Sequence, residues 1–110
     1  MGTSIDLLSG ATSTGAGTEV DLTYNNYQSC TIYINWSGTL AGMVVKLQHK
    51  CKGGEWSGDD LALHTLSADA ITAKSGSFAV EAKLNVIRIN IVTLTNPVNA
   101  VITVTGVFDR

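Results

Sequence analysis

Between Tyr27 and Cys51 the chain keeps a strict beat of two. Cys30, Ile32, Ile34 and Trp36 alternate with Ser29, Thr31, Tyr33 and Asn35. After Ser37-Gly38-Thr39-Leu40-Ala41-Gly42 the beat resumes at Met43, Val45, Leu47 and His49. Alternation of this kind sends successive side chains to opposite faces of a sheet, one apolar and one polar. It recurs at Phe78, Val80 and Ala82, at Ile87, Ile89 and Ile91, and at Ile102, Val104 and Phe108. One buried face per strand is the signature of antiparallel sheet, and the class is all-β.

The spacing predicts strands near 19–22, 27–36, 43–51, 61–66, 77–83, 86–94 and 100–108, and a frayed N-terminus would carry a short first strand at Ile5–Leu8. Asn25-Asn26, Ser37-Gly38, Gly53-Gly54, Ser75-Gly76 and Asn96-Pro97 separate them. Residues 67–73 are read as strand or loop rather than as a helical turn. Seven or eight short strands at these intervals make a sandwich or a barrel. A chain of 110 residues is one domain. It buries roughly 65% of its unfolded surface, enough for a core without staples.

Residues 1–18 are a small-residue, turn-prone tract interrupted only by Ile5, Leu7 and Leu8. Such a tract buries too little apolar area to hold itself in place. Two readings stand: a frayed end carrying a short strand, or an arm whose Ile5, Leu7 and Leu8 dock on a neighbouring subunit. The organisation expected is an N-terminal arm over 1–18 and a β-sandwich over 19–110.

Net charge is −2, and the seven Lys and Arg are scattered. A phosphate-tracking surface needs a basic cluster, so nucleic acid is not an expected partner. No apolar run reaches the ~18 residues of a membrane span, and the start lacks the pattern of an export signal. Charged residues make up 15% of the chain, against an ordinary ~25%. A surface of Ser, Thr, Asn and Gly suits a protein packed against neighbours better than a free, crowded monomer.

The two cysteines admit three readings. With 27–36 and 43–51 taken as a hairpin, one register sets Cys30 opposite Cys51, within reach of a disulfide. Slipped by two, Cys30 faces His49. A buried, inert Cys30 with a rim Cys51 is the third reading, and reduced thiols fit the absence of an export signal. No set of four ligands appears at metal spacing.

His49 and His64 lie in no catalytic motif. Glu55, Asp59, Asp60 and Asp69 form an acidic cluster best read as solvated turn, although calcium takes such oxygens. Trp36, Trp56, Tyr24, Tyr27 and Tyr33 are the aromatics available for sugar stacking. Trp36 has interior parity, and Tyr24 and Tyr27 flank the Asn25-Asn26 turn. No enzyme, cofactor or metal is expected.

The order of motifs resembles a known group. Glu19-Val20-Asp21-Leu22 precedes a Tyr-led strand, and Lys52-Gly53-Gly54-Glu55-Trp56 follows the second strand. Then come Gly76-Ser77-Phe78-Ala79-Val80, Val86-Ile87-Arg88-Ile89-Asn90-Ile91, and Ala100 to Gly106 with the charged tail Asp109-Arg110. Over residues 5–110 this resembles the small β-sandwich virion proteins of tailed bacteriophages, the capsid decoration or cement type. The resemblance implies a jelly-roll-like sandwich, made in the host cytoplasm, that binds the capsid exterior and stabilises it. Its implied partners are the major capsid protein and copies of itself, commonly as trimers. Contacts are then expected from Ile5, Leu7 and Leu8 in the arm and from Tyr24 and Tyr27 in the adjacent turn. A carbohydrate- or receptor-binding module on a fibre, and a tail or neck accessory protein, are the alternatives.

Overall fold

The computed structural model describes residues 2–110. The strands run β1 (Thr3–Ala11), β2 (Gly15–Ala16), β3 (Val20–Asp21), β4 (Ser29–Thr39), β5 (Gly42–Lys50), β6 (Ala62–Thr65), β7 (Ser75–Glu81), β8 (Val86–Thr95) and β9 (Val98–Asp109). One six-residue helix, α1 (Ala68–Ala73), lies between β6 and β7. One sheet has the order β1-β9-β4-β7; the other has β2-β8-β5-β6, with β3 also on β8. All pairings are antiparallel.

The order has a simple logic. First pairs with last (β1 with β9), then β2 and β3 with β8, β4 with β7, and β5 with β6. The chain is thus one long ribbon doubled back on itself and rolled up. Contacts of β9 with β4 and of β8 with β5 close the roll into two sheets. This is a jelly roll, the sandwich expected from the sequence.

The interior is built by the predicted alternation. Ile32, Ile34, Val45, Leu47, Ile87, Ile89, Ile102, Val104 and Phe108 are fully buried between the sheets. No polar or charged residue is buried among those described. Gly106 has the inward parity of β9, and any side chain there would run into the ring of Phe108, which fills that space instead. Gly38, at φ 78°, lies where the β4–β9 register slips between Ser37 and Thr39. A β-carbon there would meet the backbone of Asn99.

Three expectations are corrected. First, β4 and β5 are not a hairpin. Leu40-Ala41 carries the chain from one sheet to the other, and each strand sends its buried side chains into the common core. Second, residues 68–73 are helical. Ser67 Oγ accepts the N–H of Ala70 at 3.1 Å, and Lys74 ends the turn in the left-handed region. Third, the tract over 1–18, of which Met1 lies outside the described residues, is not an arm separate from a sandwich that begins at 19. Thr3–Ala11 pairs with β9 from Thr3 opposite Phe108 to Ala11 opposite Ile102, and Gly15–Ala16 pairs with β8. Leu7 and Leu8 are buried in the core of their own chain. Sheet pairing with a strand distant in sequence supplies the hold that the tract's composition lacks.

Candidate functional site

Side chains at the sequence-predicted positions part company. Ile5 is half-buried against the core, and Leu7 and Leu8 are inside it, so none is free to reach a neighbour. Tyr27 is 5% exposed, its ring 5.6 Å from that of Phe108, with the Arg110 guanidinium 5.7 Å away. Tyr24 alone of the five meets the expectation of exposure, at 79%. Its ring carries Lys52 Nζ at 5.1 Å, and Lys52 also pairs with Asp21 at 3.2 Å. Hydrogen bonds from the Thr23 hydroxyl (2.6 Å) and backbone N–H (3.0 Å), and then Lys52, hold the Asp21 carboxyl down at about 2.

Cys30 and Cys51 are both free. Cys30 faces the core from β4, opposite Val80 and Phe108, whereas Cys51 is exposed just beyond β5 in the other sheet. The register that would bridge them required the β4–β5 hairpin and disappears with it. Burial pushes the Cys30 thiol up to about 11.

The candidate aromatics do not converge. Trp36 is buried. Trp56 lies across the outer face of the β8-β5 sheet beneath Arg88, 4.0 Å from its ring centroid, and Lys50 at 4.9 Å. Those cations are tied in turn: Arg88 Nε–H to Gln48 at 2.7 Å, and Lys50 to Glu19 at 3.3 Å. Lys46 pairs with Asp60 at 3.4 Å, and His49 Nε2 lies 2.9 Å from the carbonyl of Asp59. The loop between β5 and β6 is therefore fastened over this face, and its polar groups are largely spent on one another. His64 stacks on Phe78 at 4.8 Å. Among the described residues, no three of His, Cys, Asp and Glu gather as a metal-holding group.

The opposite face is different. Outward positions of the β1-β9-β4-β7 sheet align in rows across the strands. They read Ser4–Val107–Thr31–Ala79, Asp6–Thr105–Tyr33–Ser77, Thr103–Asn35–Ser75 and Val101–Ser37. Only Asp6 is charged, at the β1 margin, and it accepts the Thr105 hydroxyl at 3.2 Å. The carboxylates of Glu81 and Asp109 mark one rim. Tyr33 projects from the middle and Val101 from the end row, 43% and 42% exposed. This broad, hydroxyl-rich, nearly uncharged surface is the candidate functional site. The alternation of β4 and β9 made its residues legible in sequence, but only the pairing of those strands shows that they share one face.

Two hollows accompany it. One of about 440 Å³ runs along Ser75–Ser77 between β7 and α1, with Tyr33, His64 and Asp69 on its walls. The other, about 420 Å³, is lined by Thr12, Pro97, Asn99, Ala100 and Val101 at the β8–β9 turn.

No protein-family model matches the chain, and a search of curated proteins returns no match. Among solved structures, the chain is similar to the SPBc2 prophage-derived protein YomS, with a TM-score of 0.62 and 19% identity. The match covers 98% of this chain and 92% of that one. At that identity the likeness is one of fold, and it extends over the whole sandwich.

Proposed function

We propose that this chain is a non-enzymatic structural protein of a phage virion, a decoration protein that sits on the capsid exterior with copies of itself. The observation that carries the reading is the outer face of the β1-β9-β4-β7 sheet, whose charges are confined to Asp6 at one margin and Glu81 and Asp109 at the rim. Desolvating Ser, Thr, Tyr and Val costs far less than desolvating Lys or Glu, so such a face can be pressed against another protein at small penalty. The end-to-end likeness to a prophage-derived protein supports a phage setting.

The mechanism is linkage. A ligand that bridges shell subunits binds only the assembled lattice, and stabilises it by about 2.7 kcal/mol per site when its concentration is 100-fold above Kd. No chemistry at the face is required. Sugar stacking is the weaker reading, because Trp56 is covered by Arg88 and Lys50, and Tyr24 carries Lys52 on its ring.

The test is co-sedimentation with emptied shells of the phage that encodes the chain. Wild-type protein is expected to pellet with shells and to raise their disruption temperature. Thr105→Arg and Tyr33→Arg place a cation in the middle of the face, and both are expected to stay folded and remain in the supernatant. Equal binding by wild type and variants would refute the assignment of this face, and no binding by wild type would refute the decoration role.

A further inference from the structure

The four sheet margins are not equally protected. A free strand edge invites pairing with another chain, and proteins usually blunt it with bulges, short strands or covering segments. β1 is broken by register shifts at Asp6/Leu8 and Leu8/Ala11 and carries Gly10 at φ 71°. β2 and β3 have two residues each, and β6 has four. β7 has neither a bulge nor a short span, and α1 stands beside its start, with Ala70 close to Gly76. The strand pairs with β4 without a break from Ser75 to Glu81 and contains no proline and no lysine.

The direction of its free groups can be read from the ladder. Ala82 N–H bonds the carbonyl of Gln28, and Trp36 N–H bonds that of Lys74, both in the register that sets Ile32 opposite Phe78. Hydrogen-bonded and non-bonded pairs alternate along an antiparallel ladder. Even-numbered β7 residues therefore bond β4, and Ser75, Ser77, Ala79 and Glu81 aim their N–H and C=O groups away from it. Among the described residues, no hydrogen bond meets them there.

We propose that the β7 edge is a self-association site, at which two copies pair β7 with β7 antiparallel about a two-fold axis and join their sheets. The edge is self-complementary. Ser75 opposite Glu81 and Ser77 opposite Ala79 keep side chains on matching faces and bring together all the groups that point outward. Charge complementarity favours the same arrangement. Lys74 directly precedes the strand and Glu81 ends it, so antiparallel alignment sets the lysine of each copy one residue from the position opposite the other's carboxylate, at both ends. The groove of about 440 Å³ along Ser75–Ser77 leaves room for the incoming strand end. The contact is made by the backbone edge of β7, whose Ser75, Ser77 and Ala79 side chains belong to the outer face, and it does not depend on shell binding.

Sedimentation velocity of the full chain over a concentration series tests it. A single strand pair is a small interface, so a dimer with Kd of about 1–100 µM is expected. Ala79→Pro removes an outward N–H and leaves the β4 ladder intact; it is expected to be monomeric with unchanged circular dichroism. Glu81→Lys sets like charges together and is expected to weaken the dimer about tenfold, with Lys74→Glu in the same chain restoring it. The swap keeps the test decisive should the proline variant fail to fold. A wild type that is monomeric at about 1 mM, a trimer in place of a dimer, or failure of the charge swap to restore association would each overturn the proposal.

Discussion

Cys30 shows how far one buried side chain departs from its exposed namesake. The thiol is 2% exposed and its pKa is raised from 9.0 to about 11 because the thiolate would be desolvated. Since the thiolate is the nucleophile, Cys30 should be inert in the native protein while Cys51 reacts. Maleimide labelling followed by mass spectrometry is expected to add one label at Cys51 under native conditions and two after denaturation. The same shift has a sign in stability. Between 9 and 11 the folded state keeps a proton that the unfolded state has lost, so this contribution is whole below pH 9 and disappears as pH rises through 11. Cys30→Ala should flatten the alkaline limb of the stability–pH curve measured by urea titration. Asp21 has the opposite sign. Its pKa is lowered from 3.8 to about 2, so its contribution is present above pH 3.8 and is lost as pH falls through 2. Carbon-detected NMR titration should find the Asp21 carboxyl titrating at about 2, and Thr23→Val should return it toward 3.8.

At the scale of elements, β1 decides whether the N-terminal tract is an attachment or part of the body. It closes one margin of its sheet and contributes Leu7 and Leu8 to the core. Leu7→Ala is expected to cost about 2–5 kcal/mol, a large share of the 5–15 kcal/mol typical of a domain. Deleting residues 2–18 should therefore lower the melting temperature sharply or prevent folding, rather than merely weaken attachment. A truncated protein that melted like the full chain would show β1 to be dispensable. What was legible here, and what was not, follows from the range of each interaction. Period two reports which side chains are buried, and it placed every long strand after β1. It does not report which strand lies alongside. The beat of β4 and β5 fits a hairpin and a crossover equally well, and the placement of the two strands in different sheets settles the choice. β1 was obscured because its partner lies about a hundred residues away, with Thr3 opposite Phe108. α1 had a local signal, Ser67 three residues before Ala70 in an alanine-rich stretch, and the shortness of the helix made it easy to pass over.

At the scale of the whole molecule, the rolled ribbon separates its two outer faces by character. The β8-β5 face ties Lys46 to Asp60, Lys50 to Glu19 and Arg88 to Gln48, with the Trp56 ring beneath Arg88 and Lys50. The β9-β4 face holds almost no charge. Low charge in the sequence hinted at an assembly, but the sequence could not locate the uncharged face, because its rows draw residues from four strands spread from Ser4 to Val107. That separation yields a prediction about salt. Attachment through charged patches is screened over a Debye length of about 8–10 Å at 0.1–0.15 M and weakens as salt rises. Attachment through Thr31, Tyr33, Thr103 and Thr105 has little charge to screen. Shell occupancy, read from pelleting at fixed protein concentration, is therefore expected to stay nearly level from about 0.05 to 0.5 M salt. Thr105→Arg should abolish it at both extremes, because a guanidinium buried without a partner is penalised whatever the ionic strength. A steep fall with salt in the wild type would move the contact to the basic side, where Lys50→Ala and Arg88→Ala, rather than Thr105→Arg, would release the protein.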